Sequence, residues 1–195
     1  MAALGLRPVR TRLVLLCRGP VDWAQAGGED PLLSASGLAA VEEAAARLPA
    51  FAQIVASAQR AARETAEVLA AIRGVPVAWR DDLDELRAAM PITDAAAYAA
   101  WIDDLFAGAA GGGESLVDGA QRLTYAFMGI GDRFHGRSTL VVSHPAVLAA
   151  FWAAQRGRQP VREDVLGMPD LGTAVVDYVE GRFYLVEDFP VRRDA

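Results

Sequence analysis

The sequence contains no lysine and no asparagine, only one cysteine, and just two histidines. Its 19 strong bases are therefore all arginine, and against 25 carboxylates they leave a net charge of −6. A protein that neutralises a phosphate backbone needs a basic face, so nucleic acid is not an expected partner. The missing lysine stands beside 39 alanines, a skew read here as compositional bias, not as function. Cys17 has no second cysteine with which to form an intramolecular disulfide. One cysteine and two histidines predict no metal-ligand cluster, and no cofactor is expected. Long hydrophobic runs are lacking near the amino terminus, where Leu13 to Cys17 is an unbroken apolar stretch of five residues behind Arg7, Arg10 and Arg12. A signal core needs roughly 7–15 such residues and a membrane helix about 20, so a cytoplasmic protein with no membrane partner is expected.

What is present reads as one well-filled domain. The 195 residues are 53% hydrophobic and 23% charged, enough for a core and too apolar for disorder. Leu13–Cys17 and Thr139–Val142 read as strands buried on both faces, with Gln53–Ala56 and Val75–Trp79 as shorter companions. Between them lie helices, the first capped by Ser34 and carrying Leu38, Val41, Ala45 and Leu48 on one face before Pro49. Ala58–Ile72, stopped by Gly74, Glu114–Phe134 and Pro145–Gln155 read as three more. Thr173–Val179 and Phe183–Val186 around Gly181 predict a terminal hairpin. The alternation gives an α/β class with a mostly parallel sheet flanked by helices, one domain over residues 1–195. Residues 86–113, with a short helix at Asp94–Phe106, are expected as a helical lid insertion.

Ligands of open α/β sheets sit beyond the carboxyl ends of the strands, so the residues just after each strand form the shortlist. They are Arg18 and Gly19, Ser57 and Arg60, the acidic group Asp81, Asp82, Asp84 and Glu85, and His144. Arginines, an acid and a histidine at one sheet edge suit a phosphorylated ligand: guanidinium forks grip phosphate and a protonated carboxyl supplies a leaving-group proton. The backbone donors at the start of the Pro145 helix would add to this grip. Ser57 reads as a helix cap, Cys17 as an inert core thiol and His135 as a loop residue. Tyr98, Trp101, Leu105 and Phe106 read as an amphipathic face packed on the core, or as a ligand-facing lid. Gly111–Gly113 lacks the lysine of a phosphate-cradling loop, and Ser143 lacks the flanking glycines of a nucleophile elbow.

These segments, in order, resemble the histidine phosphatase superfamily, also called phosphoglycerate mutase-like. Leu13-Val14-Leu15-Leu16-Cys17-Arg18-Gly19 is similar to its opening strand, which ends in Arg-His-Gly. Leu33-Ser34-Ala35-Ser36-Gly37, Ser57 through Thr65-Ala66-Glu67, Leu83-Asp84-Glu85, Gly113-Glu114-Ser115 and Val141-Val142-Ser143-His144 resemble the later signatures. The resemblance implies a phosphoglycerate mutase-like fold with a small phosphorylated partner. It implies residual catalytic roles for His144 and Glu85, and phosphate binding by Arg18, Arg60 and His144. Two departures stand out. The histidine that follows the first arginine is the family's nucleophile, and that place is read as Gly19. The second phosphate-clamping arginine falls on Ala61, with Arg60 one residue early, which turns a helical side chain by about 100°. The expected function is an inactive or impaired homologue that keeps a phosphate or anion pocket. The alternative is an active phosphatase that works on a small phosphorylated metabolite or phosphoprotein without a covalent intermediate.

Overall fold

The computed structural model describes residues 9–24, 30–108 and 111–190; Arg7 and residues 109–110 of the expected lid lie outside these. A central six-stranded sheet has the order β5-β4-β6-β1-β7-β8. Strands β1 (Thr11–Cys17), β4 (Gln53–Ala56), β5 (Val77–Trp79) and β6 (Ser138–Ser143) run parallel, with β6 between β4 and β1. The expected mostly parallel sheet is therefore present. Strands β7 (Thr173–Val179) and β8 (Arg182–Glu187) close the sheet as an antiparallel hairpin.

Both faces of the sheet are covered, which is why its central strands are apolar without alternation. Leu13, Leu15 and Cys17 of β1 face a cluster built with α4 (Leu116–Arg133) and α5 (Pro145–Gln155). Val14 and Leu16 face the opposite layer of α1 (Ala35–Arg47) and α2 (Arg60–Arg73). Helix α5 is buried nearly all round, and Phe151 meets Phe127 of α4 edge to face at 4.7 Å. Ser34 caps α1 by accepting the Gly37 N–H at 2.9 Å. A Cβ at Gly37 would lie 2.3 Å from the Pro20 carbonyl oxygen, so a glycine there lets α1 press on the loop that leaves β1.

Some boundaries differ from the sequence reading for local reasons. Helix α2 begins at Arg60, not Ala58, because Ser57 is bonded elsewhere; Asp30 accepts the Arg60 N–H in its place, at 3.0 and 3.1 Å. Helix α4 begins after its cap Ser115, since the Glu114 N–H goes to the Arg87 carbonyl. The two-residue strands β2 (Val21–Asp22) and β3 (Leu32–Leu33) pair with each other, and neither was foreseen. The five-residue helix α6 (Arg162–Leu166) is a further addition, while α3 (Ala95–Ala107) falls where the lid helix was expected. Because β7 runs against its neighbours, its amino end pairs with Leu16 at the edge where the parallel strands finish. The segment that precedes β7 is thereby delivered to the same edge as Arg18 and His144.

Candidate functional site

At the end of β1 the chain turns sharply. The Gly19 N–H donates to Thr65 Oγ1 at 3.0 Å, and a Cβ at Gly19 would lie 3.0 Å from both Leu33 Cδ2 and Val41 Cγ2. A side chain at position 19 would therefore point into the apolar layer under α1. Arg18 faces the other way, into a cleft of about 410 Å³, and is 8% exposed. Its Nη1 donates to the Gly19 carbonyl at 2.9 Å and to Asp170 Oδ1 at 2.8 Å. Asp170 is held in place by its neighbours: the Leu171 N–H bonds the Arg18 carbonyl, and the Cys17 N–H bonds that of Gly172.

Glu85 and His144 line the same cleft. The Glu85 carboxylate accepts four hydrogen bonds. Its Oε1 accepts the N–H groups of Val147 and Leu86 at 2.9 and 3.0 Å, and its Oε2 accepts the Ala146 N–H and the Tyr98 hydroxyl, both at 3.1 Å. Pro145 has no N–H, so Glu85 takes the first two amides that α5 can offer. These are the helix donors expected to serve an anionic ligand, and they are already engaged. Burial pushes the Glu85 carboxyl above the usual carboxylate range, against the opposing pull of those amides and of Arg18. Burial, followed by the Glu85 charge, likewise carries the Tyr98 phenol well above its ordinary value.

His144 shares its Nε2 with Ser57 Oγ at 2.9 Å. Ser57 also accepts the Gln59 N–H at 3.1 Å and donates to Asp84 Oδ1 at 2.5 Å. With its O–H directed at the Asp84 carboxylate, the hydroxyl keeps two lone pairs for Gln59 and for His144, an arrangement that fits the Nε2–H tautomer of His144. Burial, then the charges of Arg18 and Arg122, holds its pKa well below the ordinary imidazole value. His144 therefore brings no positive charge to the cleft near neutral pH. Ser57 is not the cap of α2 but the middle of an Asp84–Ser57–His144 chain. Ser143 is buried and donates to the Leu83 carbonyl at 2.7 Å, fastening the acidic loop to β6.

That loop is clamped from α4. Arg122 grips Glu114 with two bonds of 2.7 and 2.8 Å and donates to the carbonyls of Asp82 and Asp84, both at 3.0 Å. Glu114 in turn accepts the Arg87 N–H at 3.2 Å. Burial pushes the Glu114 carboxyl up, but the bond and charge of Arg122 outweigh it and leave it below its usual range.

Arg60 is not brought to the cleft. It is exposed, and the residue of α2 that lines the cleft is Ala61, as the helical offset requires. His135 lies exposed in the turn before β6, at the end of that strand away from His144. Trp23 and Tyr98 form an aromatic wall with ring centroids 6.0 Å apart, and residues 86–92 complete the lining. Tyr98 was foreseen as packing or lid. Trp23, Gln59, Arg122 and Asp170 were missed. Trp23 follows the two-residue strand β2 and Asp170 precedes the antiparallel strand β7, where a rule based on parallel strand ends does not look. Among the described residues, no group of three or more His, Cys, Asp and Glu is placed to hold a metal, and no helix is long and apolar enough to cross a membrane.

Residues 13–188 match the histidine phosphatase superfamily (branch 1). None of the curated proteins compared with the chain matches it. Among solved structures, YhfR of Bacillus stearothermophilus is 24% identical, with a TM-score of 0.78 over 91% of this chain and 96% of that one. A phosphoserine phosphatase of Entamoeba histolytica, solved with 3-phosphoglyceric acid, is 16% identical, with a TM-score of 0.76 over 93% of this chain and 98% of that one. A mycobacterial glucosyl-3-phosphoglycerate phosphatase is 24% identical, with a TM-score of 0.68 over 91% and 98%. At these identities the solved structures establish the fold, and the match over residues 13–188 establishes the family. The chain belongs to the histidine phosphatase superfamily.

Proposed function

We propose that this member of the family makes no phosphohistidine and uses its cleft to bind a small molecule. The carrying observation is the direction of position 19. A residue aimed at Leu33 and Val41 cannot attack a ligand in the cleft, so the family's Arg-His-Gly is best laid on Cys17-Arg18-Gly19 without a gap. The nucleophile's place is then Arg18, not Gly19. A guanidinium stays protonated at any physiological pH and is no nucleophile. The same alignment leaves buried Cys17 and cleft-lining Ala61 at the two arginine places, so neither clamp remains. Residues of such a unit act together, and losing the nucleophile of one costs on the order of a millionfold in turnover. Hydrolysis of a generic phosphomonoester by the purified protein should stay at background from about pH 4 to about pH 9.

The second reading, a phosphatase without a covalent intermediate, is favoured by one feature. The raised pKa of Glu85 would keep a proton available for a leaving group. In that case hydrolysis above background should appear and should vanish in Glu85→Gln. Turnover that survives this substitution would contradict both readings.

A further inference from the structure

We propose that the cleft takes an uncharged aromatic molecule, and that Asp170 sets this preference by occupying Arg18. The inference rests on the reading of the cleft as a ligand site and goes on to name the ligand's chemistry. Two features of the cleft attract anions, and this chain fills each with a carboxylate of its own. Arg18, the buried guanidinium, is held by Asp170 at 2.8 Å. The amino end of α5 is held by Glu85 through Ala146 and Val147 at 3.1 and 2.9 Å. His144 is neutral and faces Ser57, and Asp30 adds a further carboxyl to the lining. The other arginine in the lining, Arg87, is exposed, where solvent screens its charge.

A phosphate monoester entering this cleft would bring up to two negative charges toward the lining carboxyls of Glu85 and Asp30 and the Asp170 carboxylate bonded to Arg18. Among the described residues it would meet no buried cation that is not already paired, which is a costly burial. The walls favour a different guest. Trp23 and Tyr98 offer aromatic faces, Met90 and Ile92 add apolar surface, and about 410 Å³ accommodates a small ring system. Arg18 lines the cleft with its side chain 10% exposed, and Asp170, 29% exposed, reaches its Nη1 from outside the lining residues.

The test uses the full-length protein, with naphthol and naphthyl phosphate as probes that share a ring and differ in charge. NMR titration of the wild type should show naphthol bound tighter by about tenfold or more. Asp170→Asn should strengthen naphthyl phosphate binding by about tenfold while changing naphthol by less than about twofold. Adding Arg18→Met to Asp170→Asn should remove that gain. The proposal is overturned if the wild type binds naphthyl phosphate as tightly as naphthol, if neither probe binds, or if a folded Asp170→Asn gains nothing toward the phosphate. The wild-type ratio decides the matter even if Asp170→Asn does not fold. Turnover or a phosphohistidine would overturn the functional reading and leave this selectivity ratio standing on its own, so the two failures are distinguishable.

Discussion

At the scale of residues, the site is a set of charges that satisfy one another. Glu85 answers the amino end of α5, Asp170 answers Arg18, and Ser57 links Asp84 to His144. Removing the middle of that last chain, in Ser57→Ala, leaves buried polar groups without a partner and should lower stability by about 1–3 kcal/mol in denaturant unfolding. The imidazole also has a signed consequence. The folded state holds His144 neutral, so between its lowered pKa and the ordinary value of 6.5 the unfolded chain binds the extra proton. Stability from this group is complete above the ordinary value and is lost as pH falls below it. Glu85 and Asp84, both raised by burial, act in the opposite direction, so the effect is to be read as a difference. The unfolding free energy of the wild type minus that of His144→Asn should fall as pH is lowered from about 7 toward about 5. A flat difference would mean that His144 titrates as in an open chain.

At the scale of elements, the acidic loop is positioned from α4 more than from its own strand. Arg122→Met would leave Glu114 buried without its partner and release the carbonyls of Asp82 and Asp84. A loss of about 3–5 kcal/mol is expected, with faster amide exchange at Leu86, Arg87, Ala146 and Val147. A second element depends on close approach. A Cβ at Gly131 would meet the ring of Tyr178 at 2.3 Å, so Gly131→Ala should destabilise despite a gain of about 1 kcal/mol in helix propensity. A rise in melting temperature would refute that packing. Elements with strong local signals were legible in the sequence: the apolar run of β1, Gln53–Ala56, Ser34 as a cap, and Pro145–Gln155. Those without periodicity were not, such as β2, β3 and α6, since two or five residues hold no repeat. Among site residues, Glu85 and His144 follow parallel elements and were found. Asp170 precedes an antiparallel strand, and its place beside Arg18 comes from the pairing of β7 with β1, a long-range fact absent from any local pattern. The direction of Gly19 was illegible for the same reason, because it depends on Leu33 and Val41 from elsewhere in the chain.

At the scale of the whole molecule, the superfamily's fold is kept across residues 13–188, and the proposed reading is that the charge logic of its cleft is altered. The chain carries a net charge of −6 and the cleft's buried guanidinium is paired with Asp170, so under the proposed reading an anionic substrate gains little attraction at long range or on arrival. The central claim is that the protein forms no phosphohistidine. The most direct measurement incubates the wild-type protein with a radiolabelled phosphomonoester, quenches in alkali, where phosphohistidine survives, and maps label by mass spectrometry. The account predicts no label on His144 or on His135. Label on either imidazole, at a level approaching one per chain, would contradict it.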